Sequence, residues 1–415
     1  MRRSLVATYG NYGSTCLLLL SIPRHHVISI RMRLIAATEE FKIGGMPKAG
    51  FPILLDHEMN SVCEANEFLR VYLMRGAMGS KKSWEPIGRA MYDFFGFLEA
   101  HDLKWDDVNR GEEKNLVAAY RDYCFEYAEL ARNTVRLRLV YICEFYKYAA
   151  RQGWVQSLPY EVETRHITRA GGFFAHLDAS GGTVSVRSVM PRKHRGLIKF
   201  LTKDQVKALL ASVQNPHHRM MIRCALQTGM RREELATFPI AYVFDPDRQD
   251  IHGRNVRVTL DPYDGTGMQT KYSMKRDIWV SRKFMQDLHH YVVHWRGERA
   301  SLSNGDPNPL FLNQAGQPLA NNGQGIRAIV VDAGAKIGLA VHPHMLRHTY
   351  ATRTLVAMQR HRGDNRIEPL VFVQHQLGHA SIQTTMVYLH IVNELVDDAV
   401  LQYDDELNDW AEAQS

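Results

Sequence analysis

The chain has 415 residues, 45% of them apolar and 23% charged, with a formal net charge of +7. That length suits two to three domains of roughly 150 residues, and the composition excludes a disordered, collagen-like or fibrous chain. The charge is uneven: residues 391–415 hold eight acids (Glu394, Asp397, Asp398, Asp404, Asp405, Glu406, Asp409, Glu412) and no Lys or Arg, so residues 1–390 carry 51 bases against 36 acids, a net +15. A basic body implies a polyanionic partner, and an acidic tail implies a separate role for that tail.

Residues 1–50 show weak periodicity and several glycines, and are expected to form an extension of open role, either strand-rich or a poorly ordered leader. Their apolar run Cys16–Ile22 follows Arg2 and Arg3 but is short, and Pro23-Arg24-His25-His26 follows it instead of a small-residue cleavage site. No stretch approaches the ~20 apolar residues needed to cross a bilayer. The five cysteines (Cys16, Cys63, Cys124, Cys143, Cys224) are scattered without a C-x-x-C pair. That pattern speaks against a disulfide scaffold and for a reducing compartment.

Residues 51–158 are expected to be a helical domain. Ser61 and Glu64 have capping-box spacing at its first helix, with Leu69, Tyr72 and Leu73 as its stripe. A second helix over about 85–100 carries Ile87, Met91, Phe94, Phe95 and Leu98. A third covers about 111–130. A fourth starts at Asn133-Thr134, turns Leu137, Val140, Tyr141, Cys143, Phe145 and Tyr148 inward, and ends at Gly153. Its Arg136 and Arg138 are candidate DNA contacts or part of a solvated face. Residues 159–198 read as a basic linker broken by Gly171-Gly172 and Gly181-Gly182. Arg192, Lys193 and Arg195 at its end are suited to lie against a phosphate backbone, without base readout.

A second domain begins at residue 199. Thr202 and Gln205 have capping-box spacing, and a helix over about 219–227 is stopped by Gly229. Strand-like runs follow at Ile240–Phe244, Val256–Leu260 and Asp277–Val280, then helices again from 284. The expected fold class is therefore mostly α with a small antiparallel β-sheet.

Four stretches carry the chemistry: Thr228-Gly-Met-Arg231-Arg-Glu-Glu234-Leu235, Thr270-Lys271-Tyr-Ser-Met-Lys275-Arg276, His342-Pro-His344-Met-Leu-Arg347-His348, and Leu377-Gly-His379 with Tyr388 nine residues on. Singly each is commonplace; His344 and His348 at i, i+4 even have zinc-pair spacing, but there is no H-E-x-x-H and no third ligand. Jointly and in this order they resemble the catalytic domain of the tyrosine recombinase (phage integrase) family, over about residues 199–400. The helical domain before them resembles that family's core-binding domain, a DNA-binding module.

The resemblance implies a site-specific recombinase that cleaves and rejoins duplex DNA through a 3′-phosphotyrosine, in integration, excision or transposition. It assigns Arg231 and Arg347 to the non-bridging phosphate oxygens, Tyr388 as nucleophile, His344 as base or proton-positioning group, Lys271 as general acid (Lys275 is its rival), His379 as a phosphate hydrogen-bond donor and Glu234 as support. Fixed guanidiniums pair with such oxygens bidentately, and each preorganised donor is worth roughly 10²–10³ in rate. A phenol with a pKa near ~10 needs nearby positive charge or a base to react at neutral pH. No metal or other cofactor is required by this set.

The implied partners are a duplex recombination site and a homotetramer on two such sites, monomeric or dimeric when free, with no membrane. The implied setting is the bacterial cytoplasm, associated with the nucleoid. The acidic segment, ending in a tail over 401–415, carries Leu395, Val396, Val400, Leu401 and Trp410 on a helical pattern. That makes it a helix docking on a neighbour or packing in cis. The basic loop Gln359–Arg366 looks longer than the family pattern. Two other outcomes share the residues: a type IB topoisomerase-like strand relaxer, and a catalytically silent sequence-specific DNA-binding protein of the same fold. Whether Tyr388 acts in cis or in trans is open at this level.

Overall fold

The computed structural model describes residues 32–75, 81–111, 114–167, 182–193, 198–360 and 368–389. Arg195, most of the Gln359–Arg366 loop, the Cys16–Ile22 run and the acidic segment 391–415 lie outside the described residues. The chain divides into two compact units, Met1–Arg195 and Gly196–Ser415.

The first unit opens with β1 (Arg33–Ala36), β2 (Lys42–Ile43), β3 (Met46–Pro47) and β4 (Pro52–Leu55), where β1 pairs with β4 and β2 with β3, all antiparallel. Four helices follow: α1 (Cys63–Leu73), α2 (Trp84–Ala100), α3 (Leu116–Glu126) and α4 (Arg132–Arg151). The stripe Ile87, Met91, Phe94, Phe95 and Leu98 of α2 is buried as expected, and Phe94 meets the rings of Tyr120 and Tyr146 edge-on. In α4, Cys143, Phe145 and Tyr148 are buried as expected, together with Val135, Leu139, Ile142, Tyr146 and Ala149. Leu137, expected inside, is 49% exposed, because two positions from Val135 is about half a turn around the helix.

The helix start at α1 also differs from expectation. Its N-cap is Val62, without a side-chain cap. The Ser61 hydroxyl instead accepts from Asn66, whose amide is bonded to both backbone groups of Leu54 on β4. The stretch 159–198 is not a plain linker. It holds an antiparallel hairpin, β5 (Val162–Ile167) with β6 (Gly182–Arg187), and the residues flanking it, Tyr160 and Val189, are buried in the helical core. Arg187 pairs with Glu144 of α4, and the Tyr160 hydroxyl donates to Cys143 O at 3.0 Å. Of the glycines that argue against an element, Gly171, Gly172 and Gly181 fall in the sequence between the two strands, and Gly182 opens β6.

The second unit contains α5 (Lys203–Ala211), α6 (Pro216–Thr228), α7 (Arg232–Ala236), β7 (Asn255–Leu260), β8 (Arg276–Ser281), α8 (Arg282–Tyr291), α9 (Gly297–Ala300), α10 (Ala320–Ala335), α11 (Pro343–Arg360) and α12 (Pro369–Leu377). Residues 382–389 form the last described helical stretch. The Thr202–Gln205 capping box is present in full at α5. The expected strand at Ile240–Phe244 is a single 3-10 turn, Ile240–Tyr242; Pro239 before it holds an isolated bridge to Pro309 instead of a ladder. β7 and β8 pair antiparallel, with Val258 opposite Ile278 and Arg257 opposite Trp279. The architecture is thus mostly helical with four two-stranded antiparallel sheets among the described residues.

Two chain reversals shape the C-terminal unit. α6 ends at Gly229 in the left-handed region (φ 65°), and α12 ends at Gly378 likewise (φ 63°). A Cβ at Gly229 would lie 2.4 Å from Cδ1 of Tyr350. Gly229→Ala is expected to combine left-handed strain with overpacking, a loss of roughly 2–5 kcal/mol. Urea unfolding checks this; an unchanged midpoint would contradict the packing described.

Candidate active site

Gly229 turns the chain so that Arg231 stands as N-cap of α7. Three residues later Glu234 folds back: Arg231 donates its backbone N–H to Oε2 at 2.7 Å and Nη1 to Oε1 at 3.0 Å. Arg276, at the start of β8, adds a two-pronged pair to the same carboxylate at 2.7 and 2.8 Å. Glu234 is 1% exposed. Burial pushes its carboxyl up, but the hydrogen bonds and charge of Arg276, with Arg231, outweigh that and hold it at about 2.

Arg347 on α11 is equally buried. Its Nη1 donates to Gly229 O at 2.7 Å and its Nη2 to Leu377 O at 2.6 Å, while its buried Nε–H has no partner among the described residues. Arg231 Nη2 reaches Gly378 O at 3.0 Å. The ends of α6 and α12 therefore hold both guanidiniums through backbone carbonyls. Burial, then the positive charge of Arg231, lowers Arg347 to about 9.

Beside the arginines stand three imidazoles and a phenol. Tyr388, 2% exposed, comes from residues 382–389 and packs with Ala351, Leu355, Leu370, Val373 and Leu377. Its hydroxyl is 2.8 Å from His348 Nδ1. His344, one turn earlier on α11 and exposed, stacks edge-on against His348 with ring centroids 4.3 Å apart. His379 lies just beyond Gly378, with Nδ1 3.0 Å from the Thr385 hydroxyl and its ring parallel to Tyr388 at 6.4 Å. Burial pushes Tyr388 up to about 12, against the pull of Arg347 and Arg231. Burial lowers His348 and His379 to about 3 each, reinforced by neighbouring positive groups.

The structure separates the two candidate lysines. Lys275 pairs with Asp261 at 2.7 Å, and that carboxylate holds its ammonium up. Lys271 sits in the 3-10 turn Lys271–Ser273, exposed, with Nζ 4.9 Å from the centre of the Tyr272 ring. Its charge is among those that lower His344, after burial, Arg347, His342 and Arg231. Six of the seven sequence-derived residues (Arg231, Glu234, His344, Arg347, His379, Tyr388) thus form one cluster with Lys271 at its rim.

The cluster also contains residues that motif reading passed over. His348, not His344, contacts the phenol; its spacing from His344 had been weighed only as a metal pair. Arg276 closes the lysine stretch in the sequence with no role assigned, yet it grips Glu234. Glu234 bonds the two arginines rather than the histidines. The DNA-contact candidates belong to the other unit, where Arg138 pairs with Asp93 at 2.7 Å and Arg136 donates to Pro191 O at 2.8 Å. Arg192 and Lys193 are exposed. Among the described residues no group of three His, Cys, Asp or Glu could hold a metal, and no helix is long and apolar enough to cross a membrane.

Comparison with known proteins bears on the fold and the family. Residues 199–394 match the phage integrase family. A tyrosine recombinase XerC from Roseiflexus sp. (strain RS-1) is 29% identical over 294 residues, spanning 67% of this chain and 83% of that protein. Among solved structures, the fold is similar to XerH site-specific recombinase bound to palindromic difH substrate in a post-cleavage complex. The TM-score there is 0.52 at 16% identity, over 83% of this chain and 88% of that one. It is also similar to a lambda integrase dimer bound to a COC′ core site, with a TM-score of 0.51 at 14% identity over 79% and 76% of the two chains.

Two predictions follow from the electrostatics. The Glu234 carboxyl sits below its ordinary 4.5 when folded, so its contribution is full above about pH 4.5 and is lost as pH falls through about 2. Glu234→Gln removes that contribution at neutral pH and leaves two partly buried guanidiniums without their shared carboxylate, an expected loss of about 3 kcal/mol; an unfolding midpoint unmoved by the substitution would refute this. In the DNA-free protein, His348 and His379 should stay neutral down to pH 5, read from imidazole ¹⁵N shifts. A midpoint near the ordinary 6.5 would contradict the burial described.

Proposed function

We propose that this chain, which belongs to the phage integrase family of tyrosine recombinases, is a site-specific DNA recombinase that cleaves and rejoins duplex DNA through a 3′-phosphotyrosine at Tyr388. The observation that carries this reading is the Tyr388 hydroxyl, 2.8 Å from an imidazole and within the field of Arg231 and Arg347.

A phosphodiester under attack gains negative charge on its non-bridging oxygens. Arg347 has its unpartnered Nε–H to offer there, and Arg231, 22% exposed, has its outer edge. Because these groups are already held by Glu234 and by carbonyls, they need little reorganisation when charge develops. His344 and His379 complete the phosphate contacts.

The bond that forms joins Tyr388 Oη to phosphorus, and the one that breaks is P–O5′. The phenol proton passes to His348. The electron pair leaving with O5′ is met by a proton from Lys271, the general acid. Arriving phosphate offsets the guanidinium charge that depresses His348, so the imidazole becomes a better acceptor once substrate is bound. Rejoining is the reverse: the 5′-hydroxyl of another strand gives its proton to Lys271 and attacks, and the phenol leaves with the proton held by His348. The phosphodiester energy is conserved, which suits strand exchange and not hydrolysis.

Tyr388 packs against His348 of its own chain, which supports cleavage in cis. Exchange of two duplexes takes four cleavages, so the working assembly is four copies on two sites. In this reading Arg192 and Lys193, exposed on the N-terminal unit, lie against the DNA backbone, and the protein acts in the bacterial cytoplasm on nucleoid DNA.

A nicked suicide duplex built from repeats flanking the gene tests the reaction. The expected product is a detergent-resistant adduct mapping to Tyr388, lost in Tyr388→Phe and reduced roughly 10²–10³-fold in Arg231→Ala or Arg347→Ala. An adduct persisting in Tyr388→Phe overturns the assignment.

A further inference from the structure

Gln376 is a buried amide on an otherwise apolar face. It lies on α12 with Pro369, Leu370, Val373 and Leu377, and is itself 1% exposed. Packing alone would be met by a leucine or methionine; an amide there needs partners for both ends. It finds them in one peptide segment of β8. Oε1 accepts the Trp279 N–H at 2.8 Å and Nε2 donates to the Trp279 carbonyl at 3.0 Å.

The pairing acts like a one-residue strand. β7–β8 is a two-stranded sheet, so among the described residues β8 has one edge without a neighbouring strand. An unpaired strand edge exposes N–H and C=O groups that demand partners, and Gln376 satisfies both at Trp279.

The position of this clamp matters more than its strength. The next residue, Leu377, gives its carbonyl to Arg347, and Gly378 gives its carbonyl to Arg231. His379 follows. On the other side, β8 begins at Arg276, which grips Glu234, and the Lys271 turn leads into that strand. One amide therefore joins the segment that ligates the arginines to the strand that carries the lysine turn.

We propose that Gln376 is a positioning residue for strand cleavage: its amide registers β8, and with it the Lys271 turn, against the arginine–histidine pocket at the end of α12. This rests on the reading of Lys271 as general acid. Without the amide, β8 slides relative to α12, the lysine loses its aim at O5′, and the phosphate pocket keeps its own ligands.

The test uses two substrates in the full-length protein. One is the ordinary suicide duplex; in the other, sulfur replaces the bridging 5′ oxygen at the scissile phosphate. A thiolate leaves without protonation, since thiols ionise near ~8.5, so this substrate does not need the general acid. Gln376→Met keeps the volume and removes the hydrogen bonds. Its cleavage is expected to fall about 10²-fold on the oxygen substrate, the scale of a misplaced catalytic group, and to recover nearly to wild type on the sulfur substrate. Lys271→Ala should show the same pattern.

If Lys271→Ala is not rescued by sulfur, the general-acid reading fails and the proposal falls with it. If Lys271→Ala is rescued while Gln376→Met is unaffected, or is slowed equally on both substrates, the proposal alone falls. Should Gln376→Met not fold, hydrogen exchange in the unaltered protein decides: the Trp279 amide must be protected well beyond those of the exposed Lys271 turn. Equal exchange overturns the clamp.

Discussion

The structure of the C-terminal unit depends on gathering three guanidiniums within reach of one another, Arg347 buried and Arg231 and Arg276 partly so. Arg231, Arg276 and Arg347 repel, and taking them out of water is costly. A single carboxylate, Glu234, answers two of them. The third is answered by carbonyls alone. The pocket thus keeps two positive charges in excess of its one buried carboxylate. An uncompensated excess is a poor way to gain stability and a good way to bind an anion. The fold accepts that cost where a phosphodiester would repay it.

How the carbonyls reach the arginines follows from helix ends. The last carbonyls of a helix lack intrahelical partners and carry partial negative charge. α6 and α12 both terminate in left-handed glycines, and the carbonyls at these ends turn toward Arg347 and Arg231. Neither position tolerates a side chain: a Cβ at Gly229 meets Tyr350, and one at Gly378 would lie 2.7 Å from Cδ of Arg276. The same two glycines end the helices, leave room for the neighbours and aim the acceptors. That is why T-G-x-R and L-G-H are short motifs with a large structural consequence.

Much of this was readable before any coordinates, and the exceptions share a cause. Helices with strong periodicity were found, as was the Thr202–Gln205 box, because those signals are local. Ser61 failed as a cap because Asn66 competes for it while bonding β4. The hairpin at 162–187 was missed because glycines between two strands look like glycines in a linker. Within the site, motif spacing located Arg231, Arg347, His379 and Tyr388. The resemblance names His344 as the base, whereas the imidazole in contact with the phenol is that of His348, one turn further on; only the placement of Tyr388 distinguishes the two. Gln376 left no mark at all: an amide in an apolar run gains meaning only when a strand ninety-seven residues away presents an unpaired edge.

The site as it stands in the free protein is charged and closed to solvent at its centre. Tyr388 and Arg347 are almost without solvent exposure. Burial pushes the Tyr388 phenol up and the His348 imidazole down, so both favour their neutral forms. Both departures arise from burial in the same pocket, and the arginines oppose the first while deepening the second. An incoming phosphate changes the balance by cancelling positive charge, which lifts the imidazole, and by occupying the donors that the carbonyls leave free. Reactivity is thereby made conditional on substrate. In the proposed reaction the phenol therefore stays protonated until the phosphate itself completes the charge balance.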